Sequence, residues 1–173
     1  MLSYSWKLAS LAILGVAVTF AMVTASVHTA SAATTETLNH KVINFARMKY
    51  GMQVGNGECW TLAFEALNYA HAKRPGQDGL TTNQFGKKVA LSAIKPGDIL
   101  QFENVNFKHT SPNGSWSTSS FPHHTAIVLS VNGKQITVLH QNVGGNRTVQ
   151  ESIINLNDRQ PGGTITAYQP VSR

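Results

Sequence analysis

Cysteine is almost absent from this chain. A single thiol, Cys59, stands in 173 residues. An internal disulfide is thereby excluded, and three roles remain for the thiol: a buried inert side chain, half of an intermolecular bridge, or a reactive group. Charge is also sparse, at 13% of residues, so the excess of 14 Lys and Arg over 8 Asp and Glu is spread thinly. No dense basic stripe with interleaved aromatics is present, and nucleic acid is not expected as a partner. No internal repeat occurs. The longest apolar stretch, residues 8–23, falls short of the roughly 20 residues that a spanning helix requires.

That stretch follows a short polar start and Lys7, and Ala30-Ser31-Ala32 follows it with a small-x-small cleavage site. The order is that of a signal peptide over residues 1–32, with residues 33–173 as one domain. Secretion to the periplasm or the medium is expected, with no stable membrane span once the leader is removed. Removing Lys7 leaves 13 basic against 8 acidic residues, a net +5 (13 − 8). Such a charge serves solubility or residence near polyanions.

Apolar residues recur near helical spacing from Leu38 to Tyr50, and Gly51 ends the run. A helix over 37–50 is expected, and a second over 58–72 with Trp60, Ala63, Phe64, Leu67 and Ala70 on its buried side. Residues 85–89 read as a short edge strand. Lys95-Pro96-Gly97-Asp98 is a turn signal that feeds a strand over 99–102. Residues 104–120, rich in Ser, Asn and Thr, read as a long loop that exposes Phe107 and Trp116. Three strand signals follow, over 125–131, 135–140 and 148–156, and a last one over 164–168. Helices first and strands afterwards give an α+β fold, N-terminal helices packed on a small twisted antiparallel sheet.

The thiol lies just after Gly55-Asn56-Gly57-Glu58 and at the start of the second helix. Unpaired N–H groups and the positive end of the helix dipole favour the thiolate there, which predicts a lowered pKa. A cysteine nucleophile needs a base, and the base needs an orienter. Seven histidines are present. His40 and His71 fall on helix faces and His109 in the long loop. His123, His124 and His140 sit at the ends of one hairpin. His123 and His124 point to opposite faces of their strand, so only one faces the cysteine.

Hairpin register bears on the orienter. A two-residue type I′ loop at Asn132-Gly133 sets His124 opposite Gln141. A type I turn with Gly133 as a G1 bulge sets it opposite His140, with Asn142 diagonal on the same face. A three-histidine zinc site is the competing arrangement, opposed by the alternation of His123 and His124.

Four pieces, GNGECWTLA at 55–63, KPGDILQF at 95–102, HHTAIVLSV at 123–131 and VLHQN at 138–142, together resemble the CHAP-type amidohydrolase/peptidases and the related NlpC-like cysteine peptidases. The resemblance covers most of the chain after the leader. It implies a papain-like core and a secreted cysteine amidase or endopeptidase that cleaves peptide amides, with peptidoglycan as the substrate. It assigns Cys59 as nucleophile and His124 as base. His140 matches the orienter, with Asn142 and Gln141 as supporting or alternative positions. No metal or cofactor is required, and a monomer is expected. The sequence departs from the pattern in carrying His140 where a glutamate is common, and around Cys59 it follows neither subfamily closely. Two other readings stand beside it: a non-catalytic binding or structural domain of the same fold, and an acyltransferase that forms a thioester.

Overall fold

The computed structural model describes residues 36–173; the expected leader over residues 1–32, with its expected cleavage site and His28, lies outside them. Two α-helices come first, α1 (Leu38–Met48) and α2 (Cys59–Tyr69). Six strands follow: β1 (Lys87–Val89), β2 (Ile99–Thr110), β3 (Trp116–Asn132), β4 (Gln135–His140), β5 (Gln150–Asn155) and β6 (Thr164–Gln169). They form one antiparallel sheet in the order β1-β6-β2-β3-β4-β5. No described helix is long and apolar enough to cross a membrane.

The α+β expectation holds at this level, with two helices layered on a small antiparallel sheet. Thr37 caps α1 by accepting the His40 N–H at 3.2 Å. Val42, Ile43 and Ala46 form its buried stripe. On α2 the buried side is Cys59, Leu62, Ala63, Ala66 and Leu67. Trp60 and Phe64, expected inside, lie half-buried and stack on each other at 4.9 Å. His71 lies just beyond the end of α2, at φ 57°. Each fully buried leucine here contributes roughly 2 kcal/mol by leaving water.

The sheet has a core on each face, because strand side chains alternate. Ile99, Ile127 and Leu139 pack against the helices. Leu100, Phe102, Ala126, Val128 and Val138 point the other way and gather Val105, Phe107 and Phe121. A buried carboxylate fixes α1 to the start of β2. Asp98 accepts the Asn39 amide at 2.9 Å and the Lys95 N–H at 3.0 Å. Gly97, at φ +85°, lies so close to Asn39 that a Cβ would stand 2.4 Å from its carbonyl oxygen.

Two expectations are overturned. Residues 104–120 are not a loop: β2 and β3 continue as a paired arm as far as Thr110↔Trp116. Polar composition hides the period, yet Val105, Phe107 and Phe121 are buried along it, while Trp116 is 65% exposed. Neither hairpin register is the observed one. Asn132 pairs with Gln135, so the turn residues are Gly133-Lys134, and a bulge between Val128 and Ser130 shifts the remainder to Val128↔Val138 and Ile127↔Leu139. The ladder between β3 and β4 ends there, before it reaches His124.

Candidate active site

The chain before α2 is a turn built around glycine. Gly57 has φ +82°, and a Cβ on it would meet Arg147 at 2.8 Å. Asn56 accepts the Glu58 N–H at 3.1 Å and the Thr61 hydroxyl at 2.7 Å. Gln141 clasps this turn from the end of β4. Its Oε1 accepts the Val54 N–H at 3.1 Å, and its Nε2 donates to the carbonyls of Val54 at 3.0 Å and Glu58 at 2.7 Å. Glu58 is the N-cap residue of α2 without a capping bond of its own. Its carboxylate instead accepts from Asn142 at 2.7 Å and pairs with Arg147 at 2.8 Å.

Gln141 and Asn142, expected as alternative partners of the base, therefore hold the nucleophile's turn. Gln141→Ala would strip three backbone groups of their buried partner, and each such loss costs about 1–3 kcal/mol. Unfolding in urea is expected to show a loss of roughly 3 kcal/mol. A change below about 0.5 kcal/mol would remove Gln141 from this role.

Cys59 is 6% exposed at the first residue of α2. The backbone N–H groups of Thr125 and Trp60 border the sulfur and favour its anion. The Thr125 hydroxyl also borders the sulfur, but its proton is given to Gln101 Oε1 at 2.7 Å. The thiol is thus seated against the residue that follows His124. Its pKa is nevertheless raised, first by burial and further by the Glu58 carboxylate. This corrects the expectation of a thiolate at the helix start. Two N–H donors lower the pKa, but desolvation of the anion outweighs them.

His124 is 4% exposed and His140 fully buried. The ring of His124 stacks on Phe121 at 4.9 Å. Its Nε2 lies 3.1 Å from His140 Nδ1, and His140 Nε2 lies 2.8 Å from the Ser152 hydroxyl. Burial, with the neighbouring His140 and His123, holds the His124 pKa down at about 3; burial alone holds His140 at about 4. Both rings are neutral at pH 7. His123 takes no part in this chain and pairs with Glu103 at 2.9 Å on the surface. Among the described residues, no three His, Cys, Asp or Glu side chains gather as metal ligands.

Three participants were not singled out in the sequence. Gln101 and Thr125 form a buried polar link beside the thiol, and the glutamine within Ile99-Leu100-Gln101-Phe102 is the signal that marks it. Ser152 had no distinguishing signal. A cavity of about 450 Å³ opens on the far side of the histidine pair. His140, Ser152, Phe107 and Phe121 line it, and neither Cys59 nor His124 does.

A family model described as the AIM3/BBC1 cysteine proteinase-fold domain matches residues 29–173. Altered inheritance of mitochondria protein 3 of Debaryomyces hansenii is 31% identical over 146 residues, which is 75% of this chain and 15% of that protein. The chain therefore spans a small part of that relative. Two solved structures share the fold. Ly7917 crystallised with the hydrolysing product of MDP gives a TM-score of 0.50 at 21% identity, and Ly7917 alone gives 0.51 at 19%. Each alignment covers 78% of this chain and 63% of the other. Together with a helix-borne cysteine seated against a histidine-bearing strand, these matches support a papain-like cysteine proteinase fold without selecting the CHAP or NlpC branch. The chain belongs to the AIM3/BBC1 cysteine proteinase-fold domain family.

Proposed function

We propose that this domain is a cysteine amidase or peptidase that acts on peptide amides, with Cys59 as nucleophile and His124 as base. One observation carries the reading. The thiol of Cys59, on a helix packed against β3, is bordered by Thr125, the residue after His124, and His124 Nε2 is already engaged by His140. Nδ1 is the ring nitrogen left to accept the thiol proton. Because the resting groups are neutral, proton transfer to His124 accompanies attack on the carbonyl rather than preceding it. The Cys59 backbone N–H, at the helix start, is a donor for the developing oxyanion. The imidazolium then protonates the leaving amine, and water releases the acyl group from the sulfur.

Peptidoglycan peptides are the substrate implied by the sequence resemblance, and delivery outside the cytoplasm is part of the same proposal, resting on the signal-peptide pattern of residues 1–32. MDP, whose hydrolysing product was crystallised with Ly7917, is a second compound to try. The test is digestion of both, read by mass spectrometry, with wild type and Cys59→Ala. Wild type is expected to release product and to carry a transient thioester on Cys59, and the variant to do neither. Equal release by both proteins would sink the proposal.

A specific observation favours a second reading, a binding or structural domain of the same fold. Cys59, His124 and His140 are all buried, and the thiol pKa is raised. Under that reading Cys59→Ala leaves binding to the same peptides intact and no thioester forms. An acyltransferase would form the thioester and pass its acyl group to an added alcohol or amine instead of water.

A further inference from the structure

We infer that Ser152 is a positioning residue of the proposed thiol hydrolase: its hydroxyl, 2.8 Å from His140 Nε2, fixes the protons of both imidazoles so that His124 presents a bare Nδ1 to Cys59. The inference rests on the function proposed above and adds a residue to it.

A neutral imidazole has one N–H donor and one bare acceptor nitrogen. The line from His124 Nε2 to His140 Nδ1 to His140 Nε2 to Ser152 Oγ therefore has two self-consistent arrangements. In one, Ser152 donates to His140, His140 donates to His124, and the remaining proton of His124 sits on Nδ1. That nitrogen cannot then take the thiol proton. In the other, His124 donates to His140, His140 donates to Ser152, and Nδ1 is bare. Ser152 selects between them by accepting or donating.

Its surroundings favour acceptance. Ser152 is half-buried on β5 and lines the 450 Å³ cavity, so its own proton has open space to point into. His140 borders the same cavity, but both of its ring nitrogens are engaged, Nδ1 by His124 and Nε2 by Ser152, so its proton stays within the line. The charged groups nearby are engaged elsewhere: His109 with Asp158 at 2.9 Å on the cavity wall, His123 with Glu103, and Glu58 with Arg147. Glu151, the neighbour of Ser152 on β5, is exposed. Among the described residues no carboxylate caps the line, so proton placement along it depends on a hydroxyl.

The test is the imidazole ¹⁵N spectrum of the free domain, read beside steady-state kinetics. In wild type both His124 and His140 are expected to carry their proton on Nε2. Ser152→Ala should mix the His140 tautomers and lower kcat about tenfold with KM little changed. Ser152→Thr, which keeps the hydroxyl, should restore the wild-type pattern. Ser152→Asp should move the acid limb of kcat/KM to higher pH, because a carboxylate on His140 Nε2 stabilises the imidazolium. A wild-type His140 protonated on Nδ1 overturns the inference. So does a Ser152→Ala variant whose tautomers and pH profile match wild type. The spectrum needs no substrate. A domain inactive on every peptide but with both protons on Nε2 would therefore sink the proposed function while leaving the role of Ser152 standing.

Discussion

His124→Ala is expected to lower kcat on a cleaved peptide by about 10⁴, the scale at which a thiol or hydroxyl nucleophile loses its base. His123→Ala is expected to leave kcat within about twofold. The two residues are neighbours in sequence and share a residue type, so the contrast isolates position. His124 is buried, stacked on Phe121 and joined to His140. His123 faces solvent and is occupied by Glu103. Its loss removes an exposed imidazole–carboxylate contact, and exposed polar pairs of this kind are worth about 0–1 kcal/mol to stability. Kinetics of the two variants, with folding checked by circular dichroism, decide the matter. A dominant loss at His123 would show that the base acts from the other face of β3.

Acid is expected to weaken the fold by several kcal/mol through the same two histidines. In the unfolded chain each binds a proton near pH 6.5. In the folded domain the values are about 3 for His124 and about 4 for His140. Across that window the unfolded state holds more protons, so stability rises with pH. It is fully present above pH 6.5 and is lost as pH falls toward 4 and then 3. At pH 4 the loss is on the order of 3 kcal/mol per histidine. The two sites interact, so the sum is smaller than twice that. Asp98 acts in the opposite sense, because burial raises its pKa. The expected measurement is a urea midpoint that drops steeply between pH 6.5 and 4 in wild type and less steeply in His140→Gln. Parallel pH dependence in the two proteins would show that His140 does not contribute.

Much of this arrangement is written locally in the chain. The two helices carry a 3.6-residue apolar stripe, and Lys95-Pro96-Gly97-Asp98 is a turn whichever sheet it feeds. Cys59 is marked by its rarity and by the glycines before it, and His124 and His140 by their places at strand ends. What local pattern does not carry is the competition between distant groups. The thiol's pKa depends on how much of α2 and β3 covers it, and no spacing encodes that. The register of β3 and β4 depends on a bulge near Leu129, where one added residue moves every later pair. Even so, His124 meets His140, because a diagonal neighbour in a sheet remains within reach of a long side chain. The arm of β2 and β3 was hidden by composition: serines and threonines read as loop although Val105, Phe107 and Phe121 are buried along it. Gln141 and Asn142 were visible as polar residues beside the base, but their partners lie in another part of the chain.

The Gln141 clasp joins positions 87 apart in the chain. A loop of that length is entropically costly to close before any contact rewards it. On the ribosome, Val54 and Cys59 emerge long before the residue that holds their turn in place. Until β4 arrives, the nucleophile's turn lacks its brace and the thiol lacks its cover from β3. The newborn chain therefore passes through an interval in which its one cysteine is open to oxidants and stray electrophiles, an exposure that ends when the last hairpin docks.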